Sequence, residues 1–342
     1  MRKPLDWREL YASNRAVIER AHGVAGLAEP PPAARPGPSE EQTIIAAGRT
    51  RRALVHTPAD GDPGIARPLV CMLHGCTQDA ATFAAATRMN DAADRHGFMV
   101  VYPQQERGEN AQRCWNWFDA RHQARGAGEP ASIAAVVRDL VGTTTEWTVD
   151  SDRVFVAGLS AGGAMAAVLA ATYPDLFAAV AVHSGLAYKS AGSVPSAFAA
   201  MARGGRKVAA IGDLARPVPS LVIHGSDDRT VAPVNGDQVL AQTMAANRLA
   251  APERCDLDPM RPTTTSRGRV AGGHAYEHAR WEDGRGGVMH ESLKVEGMGH
   301  AWSGGLPGGS YCDPRGPDAT EAIWSFFARV AERRGGVSSE TR

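Results

Sequence analysis

The sequence carries no net charge: 37 Lys and Arg stand against 37 Asp and Glu, and the pI lies near 7.2. A chain that grips nucleic acid or an anionic membrane needs a basic excess, so neither partner is expected. Long apolar runs are missing too, and nothing here spans a bilayer. The opening residues, Met1-Arg2-Lys3-Pro4-Leu5, start basic, but Asp6, Arg8 and Glu9 interrupt any apolar segment that could follow. No secretory signal is read, and a cytoplasmic location is the default expectation. Cysteine is sparse. Cys71, Cys76, Cys114, Cys255 and Cys312 fit no zinc spacing and are too few for a dense disulfide framework, although one or two bridges remain open. What is present, 43% hydrophobic and 22% charged residues in 342, is an ordinary globular composition for one large domain or two.

Residues from about Trp7 to Gly23 show helical periodicity and run into a Pro-rich stretch reaching Pro38, so residues 1–40 read as an appendage on an extended linker. The pattern changes from Thr43. Ile44-Ile45-Ala46 and Arg52 to Thr57 read as antiparallel strands. Pro68 to Leu73 and Phe98 to Pro103 are continuous apolar runs suited to strands buried on both faces. Helices are expected over Thr82–His96, from Glu129 to about Trp147, over 161–172 and from Val234 to Asn247. Further strands are expected at 153–157, 178–182 and 221–223, then a hairpin of Tyr276–Trp281 with Val288–Val295 and a closing helix over Pro317–Arg333. Strands alternating with helices imply an α/β fold, a mostly parallel sheet with helices on both faces, over residues 41–334. Residues 335–342 read as a flexible tail.

One stretch organises the rest. Arg153-Val154-Phe155-Val156-Ala157 leads into Gly158-Leu159-Ser160-Ala161-Gly162, and helix formers follow to Thr172. This is strand, G-x-S-x-G, helix, the context of a nucleophile elbow. The turn is so tight that its nucleophile must adopt a strained backbone and its neighbours two residues away must be nearly free of side chain, hence Gly158 and Gly162. Ser160 would project its hydroxyl above the sheet, with the Ala161 N–H in the first helical turn free to bind an oxyanion.

A serine nucleophile needs a base, oriented by a third group. Asp228, in His224-Gly225-Ser226-Asp227-Asp228 after a buried strand, sits where a parallel sheet places ligand-binding loops; Asp227 is the alternative. Of His274, His278, His290 and His300, only His300 follows both a strand and a turn, so it is the candidate base. The other three fall on or beside hairpin strands, and His183 and His224 read as structural. The second oxyanion donor is expected from the loop after the 68–73 strand, where the Cys76 N–H is the candidate.

Four spaced segments, Leu73-His74-Gly75-Cys76-Thr77-Gln78, Cys114-Trp115-Asn116-Trp117-Phe118, Gly158 to Met165, and Gly299-His300-Ala301-Trp302-Ser303-Gly304-Gly305, together resemble the poly(3-hydroxybutyrate) depolymerase family of esterases, which is close to the feruloyl and acetylxylan esterases. The resemblance covers roughly residues 40 to 330. It implies an α/β-hydrolase fold and carboxyl-ester hydrolysis through an acyl-enzyme, with Ser160 as nucleophile, His300 as base, Asp228 as its orienter and no metal or organic cofactor. The amides of Cys76 and Ala161 would form the oxyanion hole, and Trp302, Trp115 and Trp117 would line the substrate cleft. A Cys76–Cys114 disulfide bracing the oxyanion loop is a further expectation. Secreted depolymerases of this kind carry an export signal and a separate polymer-binding module. Neither is read here, so soluble esters or oligomers are the expected substrates. The alternatives are a feruloyl- or acetylxylan-directed carbohydrate esterase and a catalytically silent α/β-hydrolase used for binding.

Overall fold

Apolar strands that are buried on both faces and joined through helices have one arrangement open to them, a parallel sheet with helices packed above and below. A computed structural model of the protein describes residues 35–46, 49–60, 64–143, 147–205, 211 and 216–337. The helical segment expected around Trp7 to Gly23 lies outside them.

A hairpin of β1 (Ser39–Ala46) and β2 (Arg49–His56) starts the sheet. Then come β3 (Arg67–Leu73), α1 (Ala80–Thr87), α2 (Met89–His96), β4 (Met99–Pro103), α3 (Gly128–Gly142), β5 (Val149–Leu159), α4 (Ala161–Thr172), β6 (Ala179–His183), α5 (Val194–Arg203), β7 (Ser220–Gly225) and α6 (Val234–Ala250). The chain closes with β8 (Thr264–Arg269), β9 (Ala275–Glu282), β10 (Val288–Val295), the two-residue strands β11 (Trp302–Ser303) and β12 (Cys312–Asp313), and α7 (Ala319–Val337). Among the described residues the main sheet has ten strands in the order β1-β2-β4-β3-β5-β6-β7-β10-β9-β8. From β4 to β10 every pairing is parallel, and an antiparallel hairpin finishes each edge. The fold is that of an α/β-hydrolase. The parallel strands all end on one side, and the loops after β3, β5, β6, β7 and β10 therefore gather at one edge.

Apolar side chains cover both sheet faces. On one, α3 and α4 cover Leu69, Val154, Val156 and Val180; on the other, α2 and α7 cover Val70, Phe155 and Ile223. Phe155 stacks on Phe327 of α7 with ring centroids 4.5 Å apart. No helix among the described residues is long and apolar enough to cross a membrane.

Several expected elements shift. The helix read over 82–96 is two, because Arg88 takes a left-handed φ of 57° and its N–H closes α1 on the Ala84 carbonyl. Helix α3 stops at Gly142; Trp147, beyond it, lies under the Arg67 guanidinium, 4.3 Å from the ring centroid. Helix α7 runs to Val337, past the boundary drawn at 334. Neither α5 nor β8 was anticipated. A capping box of Ser193 with Ser196 starts α5. Strand β8, Thr-Thr-Ser-Arg-Gly-Arg, is a polar edge with no apolar alternation, held by its ladder to β9 and an Arg267–Glu277 ion pair.

Candidate active site

The elbow is built as its glycines require. Strand β5 ends at Leu159, Ser160 follows at φ 58° and ψ −120°, and α4 begins at Ala161. A Cβ on Gly162 would lie 2.0 Å from the Leu73 carbonyl oxygen, and one on Gly158 would lie 2.4 Å from the Gly162 carbonyl carbon. Bare backbone at both positions is what lets the helix start against β3. The strain at Ser160 is held by its N–H, which donates to the His183 carbonyl at 2.9 Å.

Strand β7 leads into the loop of the expected acid. Asp228 is buried, with Oδ1 accepting from the N–H groups of Thr230 (3.0 Å) and Val231 (2.8 Å). Its Oδ2 accepts from His300 Nδ1 at 2.7 Å. Asp227, the alternative, is exposed, and its N–H donates to the Met298 carbonyl. Burial by itself raises the Asp228 carboxyl. Bonds from the His224 and His300 rings and the Val231 N–H outweigh it and hold Asp228 far below the usual carboxylate range. An ionised Asp228 fixes the proton of His300 on Nδ1 and leaves Nε2 as the proton-accepting atom.

His183 joins elbow and base. Its carbonyl takes the Ser160 N–H, while its ring Nε2 accepts the Ser303 N–H at 3.1 Å, three residues beyond His300. Burial lowers its pKa to about 3, so the ring stays neutral and serves as a fixed strut. The other three base candidates are engaged elsewhere: His274 with Asp313, His278 with Glu291, His290 with Ser220.

The loop after β3, which carries the other expected oxyanion donor, is held by its own side chains. Burial lowers the pKa of His74 to about 4. Its ring donates from Nδ1 to the Gly75 carbonyl at 2.8 Å and accepts the Gln105 N–H on Nε2 at 3.1 Å. Gln78 accepts the Gly75 N–H on Oε1 and donates from Nε2 to the Ser310 carbonyl, both at 2.9 Å, tying this loop to the one after His300. The N–H groups of Gly75, Thr77 and Gln78 are all taken, and that of Cys76 has no acceptor among the described residues. The Ala161 N–H, first in α4, has no carbonyl one turn back to bind. A disulfide joins Cys76 to Cys114, as expected.

The expected tryptophan walls are a correction. Trp115, Trp117 and Trp302 are 0%, 5% and 1% exposed and do not line an open cleft. Trp302 stacks on His183 at 5.1 Å and donates to Thr320 Oγ1; Trp115 donates to the His74 carbonyl. Trp302 and Trp115 thus pack from inside against His183 and the His74 backbone, while Trp117 stands edge-on to Phe118. The exposed aromatic at the site is Tyr311, 45% exposed, whose ring stands edge-on to His300 at 6.3 Å. Its hydroxyl lies 3.5 Å from Thr77 Oγ1. Its signal was the end of the Gly-rich loop that follows the base.

Residues 57–253 match the family model described as esterase PHB depolymerase. The chain belongs to the PHB depolymerase family of esterases. Poly(3-hydroxyalkanoate) depolymerase C of Paucimonas lemoignei is 39% identical over 255 residues, covering 72% of this chain and 57% of that protein. A probable acetylxylan esterase A of Aspergillus flavus is 31% identical over 207 residues, covering 55% of this chain and 63% of that protein. The chain spans about half the length of the curated depolymerases it matches, 57% and 50% of two of them. Among solved structures, an acetyl xylan esterase from Aspergillus awamori superposes with a TM-score of 0.64 at 21% identity, over 85% of this chain and 99% of that one, which places the fold in the same class. Three of the four spaced segments fall within the matched stretch, and the fourth, which carries His300, lies beyond it.

Proposed function

We propose that this family member is a serine esterase that hydrolyses carboxyl esters through an acyl-enzyme, acting on short 3-hydroxyalkanoate esters and oligomers. The observation that carries the reading is the His300–Asp228 hydrogen bond of 2.7 Å at the sheet edge where Ser160 emerges on a strained turn. His300 Nε2 takes the proton of the Ser160 hydroxyl as Oγ attacks the ester carbonyl, and the amides of Cys76 and Ala161 receive the oxyanion. The protonated ring gives its proton to the leaving alcohol. Water, activated by the same nitrogen, then releases the acid and frees Ser160. Asp228 holds the ring in the tautomer this needs and balances its charge. Tyr311 offers an apolar face beside the base for the substrate. The depolymerase relatives favour hydroxyalkanoate esters; the match to acetylxylan esterases supports a second reading, acetyl esters of carbohydrates.

The test is hydrolysis of p-nitrophenyl acetate, butyrate and octanoate by wild type and Ser160→Ala, run beside release of 3-hydroxybutyrate from soluble oligomers and of acetate from acetylated xylan. Ser160-dependent release of 3-hydroxybutyrate supports the reading. Ser160-dependent acetate release without it transfers the assignment to a carbohydrate esterase, and inactivity on every ester removes the enzyme reading.

A further inference from the structure

His224 read as structural from its place before the acid, but its contacts give it a second task. It is the penultimate residue of β7, 4% exposed. Its Nε2 lies 2.9 Å from the Val231 carbonyl oxygen and 3.4 Å from Asp228 Oδ2. A carbonyl only accepts, so Nε2 carries the proton, and that N–H is shared between the carbonyl and the carboxylate. The oxygen it reaches is the one that holds His300. Asp228 thus has Oδ1 fixed by two backbone N–H groups and Oδ2 faced by two imidazole rings, one of them the base.

The other side of the His224 ring is unusual. Nδ1 is buried and has no partner among the described residues. It faces α6 at Gly236, where a Cβ would come within 2.8 Å of it. A cavity of about 120 Å³ lies there, lined by Val222, His224, Gly225, Gly236, Ser292 and Lys294, with Lys294 paired to Asp237 at 2.8 Å. That space is large enough for water, which can donate to an unprotonated ring nitrogen. Gly236 stands in the first turn of α6, and its lack of a side chain keeps the approach to Nδ1 open.

We propose that His224 is a positioning residue for the catalytic acid. Its Nε2–H restrains the Asp228 oxygen that orients His300, and solvent in the cavity behind it, donating to Nδ1, holds the ring in the required tautomer. The kinetic consequence rests on the esterase reading above; the structural consequence, an ordered Asp228–His300 bond, does not.

The test uses the full chain and two readouts, steady-state kinetics on p-nitrophenyl butyrate and the low-field proton resonance of His300 Nδ1–H in the free protein. His224→Met keeps the bulk and removes the donor; His224→Gln restores an N–H near the same place. His224→Met is expected to lower kcat about ten- to thirtyfold with little change in KM and to broaden the His300 resonance, and His224→Gln to recover most of both. Gly236→Ala, which presses a methyl group against Nδ1, is expected to lower kcat without unfolding the protein, and it keeps the test open if His224→Met does not fold. The proposal is overturned if His224→Met leaves kcat and the resonance unchanged, or if His224→Gln is as impaired as His224→Met, which marks a space-filling ring. It is likewise overturned if Gly236→Ala behaves as wild type. If wild type hydrolyses no ester while the resonance still responds to these substitutions, the esterase reading fails and the positioning role stands.

Discussion

Removing the Cys76–Cys114 bond tests whether the oxyanion loop is braced as described. The two cysteines are 38 residues apart in sequence. In the chain-entropy model a loop of that length restricts the unfolded chain by about 13 cal/mol/K, or about 4 kcal/mol at room temperature. Unfolding entropy near 2.1 cal/mol/K per residue gives roughly 0.7 kcal/mol/K for a chain of 342 residues, so the loss corresponds to about 5–6 °C in Tm. Turnover should be affected separately if, as proposed, the Cys76 N–H is one of the two oxyanion donors, since misplacing such a donor costs about a hundredfold or more in kcat. The experiment pairs alkylation with thermal denaturation of the Cys76→Ser/Cys114→Ser variant. Denatured but unreduced protein should take up three alkyl groups, on Cys71, Cys255 and Cys312, and reduced protein five. The variant should melt about 5–6 °C lower and lose most of its kcat, with KM changed less. Uptake of five groups without reductant, or a variant with wild-type Tm and kcat, would refute the bracing.

Other expectations follow from single contacts. Asp228→Asn removes the carboxylate that fixes the His300 tautomer and should lower kcat by about four orders of magnitude with the fold intact by circular dichroism. Asp283 is 4% exposed, held by Arg333 at 2.7 and 2.9 Å and by Arg254 at 3.1 Å. Burial raises its carboxyl, but those guanidinium groups and the N–H groups of Gly287 and Arg285 hold it well below the usual range. A depressed folded pKa contributes stability above the unfolded carboxylate value and loses it as pH falls below about 4, so the Tm gap between wild type and Asp283→Asn should shrink from pH 6 to pH 2. Tyr311→Ala should raise KM for p-nitrophenyl octanoate severalfold more than it lowers kcat; equal loss in both would mean that the ring orders His300 rather than meeting substrate.

The parallel core was legible because Pro68–Leu73, Phe98–Pro103 and 154–157 are apolar runs with no polar face, as strands of a doubly covered sheet are. The elbow was legible for a sharper reason, since Gly158 and Gly162 are demanded by backbone atoms within 2.4 Å of where their side chains would stand. Placing Asp228, His300 and Cys76 required only that each follow a parallel strand, which puts them at one edge whatever the loops do. What misled was side-chain direction within loops. Trp115, Trp117 and Trp302 flank the motifs in sequence, yet the backbone turns each of them into the core, and no local pattern distinguishes that from a cleft wall. Tyr311 and His224 were missed for the complementary reason. Their roles depend on contacts between β7, α6 and the loop after β10, segments that are close only once the sheet is assembled. The break at Arg88 and the polar edge strand β8 likewise follow from tertiary pairing rather than local propensity.

The central claim, that Ser160 is a nucleophile activated by His300, is tested most directly by reaction with a fluorophosphonate followed by peptide mass mapping. A single phosphonyl adduct on the peptide containing Ser160 is predicted in the native protein, with none after heat denaturation or in Ser160→Ala, and with much slower labelling in His300→Ala. No adduct in the native protein, or an adduct on another residue at equal rate in Ser160→Ala, would contradict it.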